Sequence, residues 1–303
     1  MTDAVALAAL RSLMFSIAYR MLGSVGEAED VVQEAFLRHH RAAAAGTAIE
    51  SPKAFLSTVV TRLCIDHLRS ARARRETYVG EWLPEPLLTD TRADAAAGVE
   101  EAESLSMAFL VLLERLSAVE RAVFLLHDVF AYDYDEIAAI VGKSRDNCRQ
   151  IALRARQHVE AGRPRFEASR RQRDELAARF FAAVSRGDLD GLVGLLAADV
   201  VVYGDGGGKA PSWPRPIVGR DRVGPLLAGV GRQAARHGLV IEPREVNGQP
   251  GALVFDGGRR LVSAFSLHIL DGLVRSVRSV INPEKLRHLG PVADFREVLR
   301  HTQ

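Results

Sequence analysis

The spacing of apolar residues changes once along the chain. Through residues 1–160 apolar positions recur every three or four residues, which is typical of amphipathic helices. Between about residues 239 and 281, short runs such as GALVFDGG and LVRSVRSVI are separated by Gly, Asp and Asn, which is typical of strands joined by turns. The pattern predicts a multidomain protein with an all-α N-terminal half and an α+β C-terminal domain.

Two stretches without an apolar stripe divide this pattern. Residues 84–103 carry prolines followed by alanines and acids, and we expect a flexible connector there. Residues 161–173 are rich in arginine and contain Gly162 and Pro164, which end the preceding helix. The predicted units are helical domains at 1–83 and 104–160, an α+β domain at 174–281 and a C-terminal tail at 282–303.

The stretch EAEDVVQEAFLRHHRA predicts a helix with one apolar side. Its inward stripe contains Val31, Val32, Ala35 and Phe36. Its polar side carries Asp30, Gln33, Glu34 and Arg38. Periodicity alone is equally satisfied by a solvated face and by a docking surface.

A second helix is predicted to begin at SPKAFLSTVV, where Ser51 caps the helix and Pro52 occupies its first position. Its outward residues near the C-terminal end include Arg62, Asp66, Arg69 and Arg72. Arginines clustered in this way suit contacts with phosphates, because the planar guanidinium donates two hydrogen bonds to an oxyanion. A plain charged face remains an alternative.

The stretch YDYDEIAAIVGKSRDNCRQIALRARQHV predicts a helix, a tight turn at Gly142 and a second helix capped by Ser144. In a helix-turn-helix motif, the second helix reads bases in the major groove. The polar residues predicted to face DNA are Arg145, Asn147, Arg149, Gln150, Arg154 and Arg156. We expect Arg149 and Gln150 to read bases and Arg156 to contact phosphate.

Composition and charge narrow the function classes. The 303 residues are 48% hydrophobic and 26% charged, and the net charge is only +2, so any nucleic-acid surface must be local. Cys64 and Cys148 lie on helical patterns and are predicted to be buried thiols in a reducing cytoplasm. No Cys/His spacing indicates a metal, and we expect no cofactor, signal peptide or membrane span.

A glycine-rich loop, YGDGGGK, spans residues 203–209 and raises the question of a phosphate site. The P-loop pattern needs Gly at the first position and Ser or Thr after the lysine, but Tyr203 and Ala210 occupy those places. We therefore expect a contact loop, in which Lys209 meets an acidic group and Asp205 meets a basic one. A simple hairpin turn is the alternative.

The order of these motifs resembles that of extracytoplasmic-function sigma factors of bacterial RNA polymerase. AEDVVQEAFLR is similar to the polymerase-binding helix of sigma region two, and SPKAFLSTVVTRLCIDHLRSARARR to its minus-ten recognition segment. The stretch at 116–159 resembles region four, which binds the minus-thirty-five element. The resemblance implies two partners, core RNA polymerase and promoter DNA.

The C-terminal part resembles a SnoaL-like domain, in which a sheet wraps around helices to form a cone. One sigma subgroup carries such a domain together with motifs similar to WLPEPL at 82–87, DGGGK at 205–209 and NPEKL at 282–286. The resemblance implies regulation in cis, without a separate anti-sigma protein. The regulatory contact residues it implies are Trp82, Pro84, Asp205, Gly206, Gly207, Gly208, Lys209, Asn282, Pro283 and Lys285.

Two other function classes stay open at this point. SnoaL-like folds also host cyclases and hydrolases, and a helix-turn-helix joined to a ligand domain describes a one-component regulator. If the strand phases are as the sequence suggests, Tyr203, Asp205, Trp213, His268 and Arg278 line the cone. No ligand is identified by the sequence, and no pair of acid/base residues has a diagnostic spacing.

Overall fold

The chain divides into two compact units in a computed structural model. The model describes residues 2–76, 78–89, 103–160, 170–294 and 297–298, and the side chains of 2–7, 71–76 and 160 lie outside this description. The helical unit comprises Met1–Glu76 and Leu110–Arg163, and the sheet unit comprises Thr77–Phe109 and Pro164–Gln303. Within the described residues, none of the helices combines the length and apolarity needed to cross a bilayer.

The helical unit contains the helices predicted from the apolar spacing. They are α1 (Thr2–Leu22), α2 (Val25–Ala44), α3 (Pro52–Glu76), α4 (Met107–Leu113, which crosses the unit boundary), α5 (Ala118–Phe124, followed by a π-helical turn at Leu125–Val129), α6 (Tyr134–Val141) and α7 (Arg145–Glu160). Val31, Val32 and Ala35 of α2 are buried as predicted. The apolar side of each helix therefore supplies the core of this unit.

A helix-turn-helix is formed by α6 and α7. Asp133 and Glu136 form a capping box at the start of α6, and Gly142 ends the helix with φ of 67°. The Ser144 hydroxyl accepts a hydrogen bond from the Asn147 amide at 3.3 Å, which caps α7. Both helix boundaries follow from local chemistry that the sequence displays.

Helix α3 packs against the helix-turn-helix within the helical unit, so the segments that resemble region two and region four contact each other. Arg62 of α3 donates hydrogen bonds to the main-chain carbonyls of Ile140 (2.8 Å) and Ala139 (3.0 Å) at the end of α6. The last carbonyls of a helix lack partners within the helix, so a guanidinium is well suited to satisfy them. The hydroxyls of Ser57 and Tyr132 add a buried hydrogen bond of 2.6 Å.

Arg121 of α5 is a third link between the two regions. Its side chain is 3% exposed and donates to the Met21 carbonyl at 2.6 Å and to Glu114 at 2.8 Å. Burial lowers the pKa of Arg121 to about 10. A buried guanidinium needs such partners because an unpaired charge in the interior is very costly.

The sheet unit has an α+β fold, as predicted. Its elements are α8 (Arg170–Arg186), α9 (Leu189–Val193), β1 (Leu196–Asp205), β2 (Ile217–Val218), α10 (Arg220–Arg236), β3 (Val240–Val246), β4 (Gln249–Phe255), β5 (Leu261–Leu270), β6 (Leu273–Val280) and α11 (Pro283–Leu286), followed by a 3-10 turn at Arg287–Leu289. The strand order is β2-β1-β6-β5-β4-β3. The β1–β6 pair is parallel and the other neighbouring pairs are antiparallel.

Helices α8 and α10 cover one face of this sheet. Phe180 and Phe181 of α8 share a core with Val202, Leu267 and Val277 of the strands. Gly231 of α10 permits close packing of the two helices, because a Cβ atom there would lie 1.6 Å from the Val184 carbonyl oxygen of α8.

The expectation that Tyr203, Asp205, His268 and Arg278 line the cone is wrong. Successive strand residues point to opposite faces, and their neighbours Val202, Leu267 and Val277 face the helices. A shift of one residue in strand phase moves every side chain to the other face. Of the five residues expected to line the cavity, only Trp213 does so.

The polar side chains of Tyr203, His268 and Arg278 therefore lie on the sheet face opposite the helices. The Arg278 guanidinium lies 4.9 Å from the centre of the Tyr203 ring, and its Nη1 donates to the Ser276 hydroxyl at 2.6 Å. Burial lowers the pKa of His268 to about 4, and the charges of Arg278 and Arg275 act in the same direction. His268 is therefore neutral in the folded protein at neutral pH.

We predict that His268 makes the stability of the sheet unit depend on pH. Its folded pKa lies below the unfolded value near 6.5, so the stabilisation is present above pH ~6.5 and is lost as pH falls towards 4. The loss amounts to roughly 3 kcal/mol at most, by the linkage between pKa shift and free energy. Urea unfolding of wild type and His268→Gln across this pH range measures it. Parallel stability profiles for the two proteins would contradict the prediction.

Candidate functional site: the Asp205 cluster and the DNA-reading surfaces

Asp205, at the end of β1, is fully buried and joins three segments of the sheet unit. Its Oδ1 accepts a hydrogen bond of 2.5 Å from the Tyr78 hydroxyl. Its Oδ2 accepts from the Leu83 amide at 2.8 Å and from Lys285 Nζ at 2.7 Å. We call the group formed by Tyr78, Trp82, Leu83, Asp205, Asn282 and Lys285 the Asp205 cluster.

Lys285 supplies the positive charge of this cluster. Its side chain is 10% exposed, and its ammonium group also donates to the Leu83 carbonyl. The nitrogen lies 4.8 Å from the ring centre of Tyr78 and 4.5 Å from that of Trp82. Aromatic faces stabilise a cation that has lost its water, so the two rings partly replace its hydration.

The Tyr78 hydroxyl has a defined role in the hydrogen-bond chain. Burial raises the pKa of Tyr78, and the hydrogen bond to Asp205 raises it further. The hydroxyl is therefore protonated and donates to the carboxylate, while it accepts from Asn282 Nδ2 at 2.9 Å. Each polar group in this chain has a partner, which is the condition under which a buried network stabilises a fold.

Parallel pairing of β1 with β6 explains why residues 80 positions apart in sequence meet here. The carboxyl ends of parallel neighbours lie at the same edge of a sheet. The main-chain carbonyl of Asp205 accepts hydrogen bonds from the amides of Ile281 (2.9 Å) and Asn282 (3.0 Å), just after β6. The DGGGK loop and the NPEKL tail therefore leave the sheet side by side.

The glycines of the DGGGK loop make room for this contact. Gly207 has φ of 56°, and a Cβ atom there would lie 2.2 Å from Asn282 Nδ2. A Cβ atom at Gly206 would likewise lie 2.2 Å from the Ala210 carbonyl oxygen. A side chain at either position would displace the tail or the loop, since contacts this short do not occur.

Lys209 pairs with Glu284 of the tail, which is the acidic group that it meets. Both side chains are about half exposed, so the pair contributes little to stability. Gly208 adopts φ of 71° in the same loop, Pro84 is buried next to Leu83, and Pro283 occupies the first turn of α11. The implied regulatory residues therefore lie in or beside the Asp205 cluster.

A second buried polar residue, Asn247, holds the connector further along. Its Oδ1 accepts from the Leu87 amide and its Nδ2 donates to the Leu105 carbonyl, both at 3.0 Å. Thr89 donates to Glu245 at 2.7 Å. Residues 84–89, which the sequence analysis assigned to a flexible connector, are thus bound to the sheet unit. In the sequence, Asn247-Gly248 indicates a hairpin turn, but it does not indicate that the Asn247 side chain binds a segment outside the hairpin.

The predicted polymerase-binding residues share one polar face of α2. Asp30, Gln33 and Arg38 are exposed and Glu34 is partly exposed, with Glu34 and Arg38 paired at 2.7 Å one turn apart. Core-facing positions of the helix are occupied by other residues. The face is therefore accessible within the helical unit.

The predicted minus-ten residues differ in their surroundings. Arg69 is exposed and its nearest partner is Asp66 at 3.5 Å, whereas Arg62 is bound to the end of α6. Arg72 lies on the backbone of α3, but its side chain is outside the described residues. Of the two arginines whose side chains are described, Arg62 has its donors engaged by main-chain carbonyls and Arg69 is exposed.

The predicted minus-thirty-five residues lie on the outer side of α7. Arg145 and Arg149 pair loosely with Asp135 (3.5 Å) and Asp146 (3.7 Å), which leaves both about half exposed. Arg156 instead donates to Asp128 at 2.6 Å and contacts His127 at 2.9 Å. Asn147 is partly exposed, and Gln150 and Arg154 are exposed.

Comparison with protein families assigns both helical segments. The model described as Sigma-70 region 2 matches residues 7–74, and the model described as Sigma-70, region 4 matches residues 106–159. These ranges contain the predicted docking helix, the predicted minus-ten segment and the helix-turn-helix. The motif order in the sequence is thus matched by two independent family models.

Two relatives from Mycobacterium tuberculosis match most of the chain. The ECF RNA polymerase sigma factor SigJ is 40% identical over 289 residues, which cover 91% of each chain. The probable ECF sigma factor SigI is 34% identical over 278 residues, which cover 91% of this chain and 92% of the relative. Both relatives are sigma factors rather than enzymes.

A solved structure agrees with these matches. The crystal structure of M. tuberculosis SigJ superposes with a TM-score of 0.74 at 37% identity, covering 96% of this chain and all of that chain. The similarity therefore extends through the sheet unit as well as the helices. The chain belongs to the extracytoplasmic-function family of RNA polymerase sigma factors.

Proposed function

We propose that this sigma factor, which directs RNA polymerase to promoters, is controlled in cis by its sheet unit through the Asp205 cluster. One observation carries the proposal: the buried Asp205 carboxylate accepts hydrogen bonds from Tyr78 and Leu83, in the segment between α3 and α4 that contains the predicted connector, and from Lys285 of the tail. This segment links regions two and four along the chain. Its attachment to the sheet unit therefore limits how those regions can move.

Promoter binding requires the two regions to separate. The names of the two promoter elements place them about 25 base pairs apart, which is about 85 Å of B-form DNA. In the helical unit, Arg62 of the minus-ten segment contacts α6 of the helix-turn-helix directly. This arrangement cannot engage both elements, so we assign it to a promoter-free state.

The three predicted surfaces keep their assignments within this proposal. The polar face of α2 around Asp30 and Glu34 docks on core polymerase. The minus-ten element is contacted by α3 through Arg62, Asp66, Arg69 and Arg72, and Arg62 becomes available once it leaves the end of α6. Arg149 and Gln150 read bases at the minus-thirty-five element, since arginine and glutamine match guanine and adenine edges. Control by the sheet unit makes a separate anti-sigma protein unnecessary.

We predict that the Asp205–Lys285 pair is strongly coupled. Lys285→Met leaves a buried carboxylate without its counter-charge and should lower the stability of the sheet unit by about 3–5 kcal/mol. The double variant Asp205→Asn with Lys285→Met should lose clearly less than the sum of the two single changes. Urea unfolding of wild type, the two single variants and the double variant gives the four free energies of this double-mutant cycle. Lys209→Met, which removes only an exposed pair, is the matched control and should cost less than ~1 kcal/mol. Additive effects at Asp205 and Lys285 would refute the coupling.

We predict that loosening the Asp205 cluster raises transcription. The assay uses core polymerase and a promoter that the wild-type protein selects from a random-sequence library, with all proteins at equal concentration. The charge-free double variant should give more transcript than wild type because its connector is released, and Lys209→Met should match wild type. Output at or below the wild-type level, with core binding intact, would eliminate inhibition by this contact.

We predict that Arg62 and Arg69 differ in what they stabilise. Arg69→Ala should weaken open-complex formation and leave the helical unit unchanged. Arg62→Ala should in addition expose the end of α6, because two hydrogen bonds from a charged donor, each contributing about 1–3 kcal/mol, are lost. Hydrogen exchange at the amides of α3 and α6 distinguishes the two variants. Equal exchange in both would contradict a role for Arg62 in closing the unit.

A further inference from the structure

A cavity of about 560 Å³ lies between the sheet and helices α8 and α10 of the sheet unit. Pockets of this size hold drug-sized molecules in other proteins. Its walls are mostly apolar and include Phe180, Phe181, Trp213 and Phe265. The interior therefore favours an apolar molecule.

The polar residues of the cavity are not spread evenly. Arg232, Gln233, Arg236 and His237 line it where α10 ends, and the two arginines and Gln233 are exposed there. Among the described residues that line the cavity there is no aspartate or glutamate. The mouth of the cavity is thus basic, and nothing in its lining balances that charge.

The end of α10 itself carries a partial negative charge, equivalent to roughly half an elementary charge. Two full guanidinium charges exceed it, so the local field at the mouth remains positive. Among the described residues, the hydrogen bond that Arg232 makes is a long one of 3.3 Å to the Gly187 carbonyl, which leaves most of its donors available to a ligand. Guanidinium groups of this kind bind carboxylates with two parallel hydrogen bonds.

We propose that this cavity binds an amphipathic carboxylate, with its apolar body between Trp213 and the phenylalanines and its carboxylate at Arg232 and Arg236. The two deeper hydroxyl groups, Ser263 and Ser279, offer no charge to a second polar end. The acid/base candidates of the sheet, including His268, lie on the opposite face. The proposal concerns binding alone, and it does not depend on control through the Asp205 cluster.

Calorimetric titration of the full chain with decanoate and with decanol tests the proposal. Decanoate should bind saturably at one site, and decanol, which lacks the charge, should bind about threefold to tenfold more weakly. The double variant Arg232→Ala with Arg236→Ala should remove this difference. Arg222→Ala, an exposed arginine at the other end of the same helix, is the matched control and should bind both ligands like wild type.

Two variants that fill the cavity complete the test. Ser279→Phe on β6 and Val230→Phe on α10 should each abolish binding of both ligands, and the second lies at a partly exposed position where the fold tolerates change. Three outcomes would overturn the proposal: no saturable binding of decanoate, equal affinity for the alcohol, or undiminished binding in a folded cavity-filled variant. A preference for decanoate that survives loss of both arginines would overturn it as well.

Discussion

The buried carboxylate of Asp205 is the constraint on which the sheet unit depends. A charge with no exposure must be paired and hydrogen-bonded, and here the partners come from both the connector and the tail. Such pairs contribute little net stability, because desolvation offsets the attraction. Such a pair instead favours one conformation over others. Any conformation that separates Asp205 from Lys285 without admitting water leaves a buried charge unpaired, which is very unfavourable.

In the helical unit, too, charged side chains hold distant segments together, although Arg62 and Arg121 bind mainly to main-chain carbonyls. Arg62 satisfies carbonyls at the end of α6, and Arg121 joins the Met21 carbonyl to Glu114. Arginine suits phosphates and the C-terminal ends of helices alike, because both present oxygen acceptors that carry negative charge. Arg62, which we propose contacts promoter DNA, is thus hydrogen-bonded within the protein itself.

Much of this could be predicted from the sequence, for identifiable reasons. Helix boundaries such as Gly142 and the Asp133 capping box follow from local chemistry, and the core face of α7 follows from its period. The faces on which the strand residues lie could not be predicted in this way. An error of one residue in the alternation places every side chain on the wrong face, as happened at Tyr203 and His268. The Asp205 cluster required knowing that β1 pairs with β6 in parallel, which no local pattern encodes. The binding of Leu87 by Asn247 is likewise a long-range contact without a sequence signal.

The position of Lys285 after both sigma regions and after β6 has a consequence during synthesis. A ribosome completes regions two and four before it reaches β6, and domains generally fold as they emerge. Contacts between distant residues also form late in folding, because closing a long loop is entropically unfavourable. The charge that pairs with Asp205 is therefore absent from the nascent chain until both helical regions and all six strands have been made. A chain cut short before Lys285 would carry both sigma regions without the contact to which we assign control.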